Sequence, residues 1–160
     1  MKLNKADLDT HIEEEKGDYS DLVEAVINGK NSDIQTMYEH GNDIFALGKT
    51  DSSNNTLLHI AVRSGKLETI ELLLKLGINI NALNENNETP LHHSVSLKEE
   101  SEALEIIEFM LLKGANPHSK DKLGDTPIEK AKRLGKSNIL MLFLNGNDER
   151  IPTPSVGFRL

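Results

Sequence analysis

An all-α fold of stacked helix pairs is what this sequence predicts, on three observations. The tetrapeptide Thr89-Pro90-Leu91-His92 recurs in altered form, as Thr56-Leu57-Leu58-His59 33 residues upstream and as Thr126-Pro127-Ile128-Glu129 37 residues downstream. A period of that size is the length of one helix pair with its connecting turn. Five residues after each Thr stands a small residue (Ala61, Ser94, Ala131), and apolar residues come after it at helical spacing. Glycine then punctuates the pattern, at Gly65 between two apolar segments and at Leu76-Gly77 and Lys113-Gly114 after the second of each pair.

Residues 1–18 form a polar N-terminal segment in which Lys5 to Glu15 places Leu8 and Ile12 on one side of a short helix, a possible cap for the first unit. That first unit, about 19–50, is degenerate. Aligning Ala25 with Ala61 sets Gly29 on Gly65, Ile34 on Ile70 and Gly41 on Gly77, but Ser20 replaces the Thr and Asp21-Leu22-Val23 replaces Pro-Leu-His. A terminal repeat lacks a neighbour on one side and must present polar groups there. The second unit, 51–83, has Thr56 to cap its first helix, with Leu58, Ala61 and Val62 on one face. Its second helix carries Leu67, Ile70, Leu73 and Leu74.

In the third unit, 84–120, Pro90 occupies the first helical position, where its missing N–H costs nothing. Leu91, Ser94, Val95, Leu104, Ile107, Met110 and Leu111 form its inner face. About four extra residues lie around Lys98-Glu99-Glu100-Ser101-Glu102, where the turn glycine is lost. They predict a longer first helix or a protruding loop, with the acidic run a solvated face. The fourth unit, 121–146, presents Ile128, Ala131, Ile139, Leu140, Phe143 and Leu144. Residues 147–160 form a tail with Pro152 and Pro154, which favour extended backbone. Two readings stay open for it: a frayed end, or a short segment that docks on its own solenoid or a partner through Phe158 and Leu160.

Several positions agree in one register across three units, and the pattern resembles the ankyrin repeat: Asp-x-x-Gly-x-Thr-Pro-Leu-His-x-Ala, a glycine, then Leu-Leu-x-x-Gly-Ala-Asp-x-Asn. The resemblance implies an all-α ankyrin-repeat solenoid of helix-turn-helix pairs with protruding β-hairpin loops. It also implies a protein-protein interaction module whose partner lies in a concave groove, made by the hairpin tips and the exposed face of the first helices. In this sequence the tip positions are Ser52, Ser53 and Asn55, then Glu85, Asn86 and Glu88, then Lys122, Leu123 and Asp125. The first-helix positions are Arg63 and Ser64, Ser96 and Leu97, and Arg133 and Leu134, with His93 and Lys130 just after the motif histidine position. Leu97, Leu123 and Leu134 are apolar anchors in a polar groove, unless Leu97 and Leu134 pack beneath the next helix. His59 and His92 match the motif histidine, to which the resemblance gives a structural bond to the neighbouring hairpin. Asn81, directly after Ile80, reads as a structural hairpin residue.

Composition narrows the function classes. The chain has 160 residues, no Cys, no Trp and a formal net charge of −8. Without Cys there is no disulfide scaffold, thiolate metal site or cysteine nucleophile. The negative balance argues against a nucleic-acid backbone as the main partner, because phosphate contacts require clustered Lys and Arg. No apolar run approaches the ~20 residues of a membrane span, and the first residues lack the apolar stretch of a secretory signal. Adjacent His92 and His93 point to different sides of a helix, so they do not converge on a metal. No phosphate loop, Gly-x-Ser-x-Gly turn or His-Glu-x-x-His helix is present. The expectation is therefore a non-enzymatic, monomeric, cytoplasmic adaptor or inhibitor without cofactor or metal. One variant of it is a bacterial effector acting in a host cell. The competing expectation is an immunity or antitoxin-like protein that blocks a basic enzyme by charge, with an enzyme a distant third.

Overall fold

The computed structural model describes residues 19–42, 44 and 53–145. These contain eight helices in four pairs: α1 Tyr19–Asn28 and α2 Asn31–Glu39, α3 Leu57–Arg63 and α4 Leu67–Lys75, α5 Pro90–Val95 and α6 Glu100–Leu112, α7 Pro127–Arg133 and α8 Ser137–Asn145. The first helices of the pairs begin within one residue of the positions read from the motif. Ser52, the N-terminal segment 1–18 and the tail 147–160 lie outside the described residues.

The helix starts arise from capping chemistry. Thr56, Thr89 and Thr126 are extended N-caps, each in a reciprocal capping box with the residue three positions on. The Thr56 hydroxyl accepts from the His59 N–H, while the Thr56 N–H donates to His59 Nδ1 at 3.2 Å. Thr89 and His92 repeat the arrangement, and in the fourth pair the Glu129 carboxylate accepts from the Thr126 N–H at 2.7 Å. Orphan amides at each helix start are satisfied in this way. Gly65 closes α3 with φ +67°, a left-handed conformation that a side chain would resist.

Each helix packs chiefly within its own pair or on an adjacent one. First helices stack α1 on α3, α3 on α5 and α5 on α7, and second helices pack α2 on α4 and α6 on α8. One apolar core runs through the stack, from Leu22, Val26 and Ile34 through Leu58, Ile70 and Leu73 to Ile107, Met110 and Phe143. Ala61, Ser94 and Ala131, at the crossing of the first helices, are fully buried. Ser94 stays satisfied there because its hydroxyl donates to the Leu91 carbonyl at 2.7 Å.

The insertion in the third pair goes elsewhere than the sequence suggested. The first helix α5 is short, six residues, whereas α6 has 13 against nine in both α4 and α8. The extra turn extends the second helix at its N-terminus. Glu100 and Glu102 in that first turn suit the positive end of the helix dipole, and Ala103 is buried beneath them. Leu144, assigned to the inner face, is 53% exposed, because it sits where no further helix pair covers it among the described residues. Ile106, not assigned to the core, is buried in it.

Candidate protein-binding groove

The loops between pairs are held by short side-chain hubs. Asn84 Oδ1 accepts from the N–H groups of Asn86 and Glu88, both at 2.9 Å, and the Asn84 N–H donates to the Glu88 carbonyl at 3.1 Å. Asp121 does the same one repeat on, accepting from Leu123 at 2.8 Å and Asp125 at 3.0 Å. Asn54, Asn87 and Gly124 take equivalent places with φ of 52°, 57° and 85°. A left-handed residue there is what lets the loop double back, and Asn and Gly tolerate it best. The loops project as hairpin-shaped turns, with no strand ladder among the described residues.

Neighbouring tips are tied at fixed spacing. The Glu85 N–H donates to the Ser53 carbonyl at 2.8 Å, and the Lys122 N–H donates to the Asn86 carbonyl at 2.9 Å. Asn84 Nδ2 donates to Asn55 Oδ1 at 2.9 Å. His59 Nε2 lies 3.0 Å from the Glu88 carbonyl and His92 Nε2 lies 3.1 Å from the Asp125 carbonyl. A backbone N–H can only donate and a carbonyl can only accept, so both rings are neutral with the proton on Nε2. Burial pushes the His92 pKa down from its ordinary value, which favours that neutral form. On the opposite edge, Asn81 donates to the Gly114 carbonyl at 3.3 Å and accepts from the Asn116 N–H at 2.8 Å. Asn81 is thus a latch between repeats, as its hairpin position implied.

Below the tips lies a concave pocket of about 550 Å³ lined by Arg63, Ser64, Glu88, His93, Ser96, Leu97, Lys98, Glu99, Glu102 and Lys130. Three successive repeats contribute to it. Glu88 is its electrostatic centre: one carboxylate oxygen is 3.3 Å from His93 Nε2, the other 2.7 Å from Lys130 Nζ. The hydrogen bond from His93, opposed by burial and aided by Lys130, holds the Glu88 carboxyl well below the usual carboxylate range. The same His93 nitrogen is 3.3 Å from Asn84 Nδ2, and its ring meets His59 edge-on at 5.0 Å between centroids. At the outer end Arg133 Nε pairs with Asp125 at 2.7 Å.

Of the residues read from the sequence, Arg63, Ser64, Glu88, His93, Ser96, Leu97 and Lys130 converge on this pocket. Ser53, Glu85, Asn86, Lys122, Leu123 and Asp125 stand on the tips, and Arg133 stands beside them. Two assignments need correction. Asn55 is 3% exposed and spent on Asn84, so it spaces the tips and offers nothing to a partner. Leu97 is 7% exposed and packed in the hydrophobic core, so it forms pocket floor and not a projecting anchor. Leu123 does project, at 79% exposed, and Leu134 is 45% exposed. Lys98, Glu99 and Glu102 were missed as groove residues; the lost turn glycine was the signal, since it marks where the extra turn swings toward the groove.

Among the described residues no group of His, Asp and Glu is arranged to hold a metal, and no helix is long and apolar enough to cross a membrane. His92 faces the stack and His93 the pocket, so the adjacent pair does not converge.

Comparison with known proteins agrees with this architecture. A segment of 48 residues, 29% of the chain, is 42% identical to the ADP-ribosylation factor GTPase-activating protein AGD1 of Arabidopsis thaliana. The match covers 6% of that protein, so the likeness is one of shared repeats. The family pattern for ankyrin repeats, in three copies, matches residues 16–121. With that match over most of its length, the chain belongs to the ankyrin-repeat family, whose repeats mark a protein-interaction module.

Proposed function

We propose that the chain is a non-catalytic adaptor or inhibitor that recognises one protein partner through the groove under its hairpin tips. The observation that carries this is the convergence of side chains from three repeats on one pocket, of which only Leu97 belongs to the core. Arg63, Lys98 and Lys130 meet Glu88, Glu99 and Glu102 there, so the surface is of mixed sign. A mixed surface selects orientation and register more than bulk charge does. It favours a partner with paired acidic and basic groups over the uniformly basic enzyme that the net charge of −8 alone would suit. Leu123 at the rim supplies the projecting apolar contact. A cytoplasmic setting fits this role, and delivery into a host cell would leave the groove chemistry unchanged.

The test is differential capture, then titration. The wild-type chain, a groove variant (Arg63→Glu, Lys98→Glu, Leu123→Ala) and an outer-helix variant (Glu71→Ala, Lys75→Ala) are each immobilised in lysate. A protein held by the wild type and the outer-helix variant but not by the groove variant is then purified and titrated. The reading predicts at least tenfold weaker binding to the groove variant. Equal affinity for both variants would refute it.

A further inference from the structure

Two acceptors in the groove pocket are left unmatched by the fold. One is on the His93 ring. Asn84 Oδ1 accepts from the N–H groups of Asn86 and Glu88, which fixes the orientation of that amide. Its Nδ2 then donates to Asn55 Oδ1 at 2.9 Å and to Glu88 Oε2 at 3.4 Å, so both hydrogens are spent. The 3.3 Å approach of Asn84 Nδ2 to His93 Nε2 is therefore a contact between two donors and not a hydrogen bond. The Glu88 carboxylate can only accept, so Nε2 carries the proton that points to it. In the neutral ring this leaves Nδ1 as a lone-pair acceptor. Nδ1 has no partner among the described residues and is not sealed from solvent.

The other acceptor is Glu102. Its carboxylate lies against Gly65, in the place that a side chain at residue 65 would take. It is half-buried, and no described residue donates to it. Glu88 and Asp125, by contrast, are matched by Lys130 and Arg133, and Glu99 stands exposed to water. An acceptor turned partly from water without a donor costs free energy that a ligand's N–H recovers. Glu102 belongs to the extra turn of α6, which α4 lacks, so the arrangement has no copy one repeat earlier.

Charge selects the kind of donor. Glu102 separates the pocket from an adjoining hollow of about 330 Å³, whose charged lining is Glu68, Glu102 and Glu105 with no base among it. The bases of the groove lie differently. Lys130 and Arg133 are engaged by carboxylates, Lys136 donates to the Leu97 carbonyl, and Arg63 and Lys98 stand at the exposed rim. A hydroxyl or an amide would satisfy His93 alone. A cationic head with several N–H donors satisfies His93 Nδ1 and Glu102 together, and its apolar stem suits the Leu97 floor.

We infer that the pocket receives one lysine or arginine side chain of the partner, its head at Glu102 and His93 Nδ1 and its stem over Leu97. An acidic residue of the same segment stays outside, at Arg63 and Lys98. This rests on the groove reading above and names the group that the groove selects.

A phage library of random peptides, panned at neutral pH on the full wild-type chain, supplies the probe. Bound peptides should share a Lys or Arg whose replacement by Gln weakens binding about tenfold or more. Glu102→Gln, which keeps shape and removes charge, should weaken the same peptides by as much, and so should His93→Phe. Glu71→Gln, on the outer surface, should leave their affinity unchanged. In the wild type, with nothing substituted, the ¹⁵N signal of His93 Nδ1 should move on peptide addition while Nε2 stays in place. Peptides that shift groove signals without needing a basic residue, or that bind Glu102→Gln as well as wild type, would overturn the inference and leave the groove reading standing. Peptides that shift only signals around Glu71 and Lys75 would overturn both. A library that yields no peptide dependent on Lys or Arg would also overturn the inference.

Discussion

At the scale of the residue, the same histidine does two jobs. His92 closes the cap of its own helix through Nδ1 and holds the next hairpin through Nε2. Removing it leaves a buried N–H and a part-buried carbonyl without this partner, so His92→Ala should cost roughly 1–3 kcal/mol, read by denaturant titration. Protonation should act in the same direction. The His92 pKa is lowered in the folded chain by burial, so the unfolded state takes up the proton first. That contribution to stability is complete above the ordinary histidine value of 6.5 and is lost as pH falls below it toward the depressed folded value. Glu88, also depressed, adds a second loss once pH drops below its ordinary 4.5. The fall in Tm between pH 7.5 and 5.5 should therefore be smaller in His92→Gln than in the wild type. The Thr-Pro-Leu-His register made this histidine legible in the sequence. The facing charges of Glu88 in the third repeat and Lys130 in the fourth were legible from the register, whereas the bond from His93 to Glu88 was not.

At the scale of the element, helix starts were readable because they depend on local chemistry: a Thr cap, a proline at the first position, an acceptor three residues on. The destination of the four extra residues was not. Local sequence sees an acidic run, whereas its placement depends on Ala103 and Ile106 finding burial in the stack. Core positions differ in weight for the same reason. Leu73 and Met110 are fully buried, so Leu73→Ala or Met110→Ala should cost about 2–5 kcal/mol. Leu111 is only partly buried and should cost less than Met110 in the same titration. Gly65→Ala should also destabilise, by about 1–2 kcal/mol, through its left-handed backbone. The Glu102 carboxylate sits where the new methyl would go, so Glu102→Ala should relieve only the part of that cost due to crowding.

At the scale of the whole molecule, the repeats form one linear stack with the hairpin tips on one edge and the core behind them. Stability in such an array is carried by contacts between neighbours, so hydrogen exchange should be slowest in α3 to α6, which have a pair on each side. The tips could be placed from the sequence because the motif fixes their spacing. Which of the assigned residues stay available could not, since Asn55 is consumed by a bond to the next repeat and Leu97 is packed in the core. The central claim is that a protein partner occupies the groove, and mapping amide and methyl NMR shifts of the chain on titration with its captured partner tests it most directly. The account predicts the largest changes at Arg63, Ser64, His93, Ser96, Lys98 and Leu123. Changes confined to the outer surface of α4 and α6, at Glu71, Lys75, Glu105 and Glu108, would contradict it.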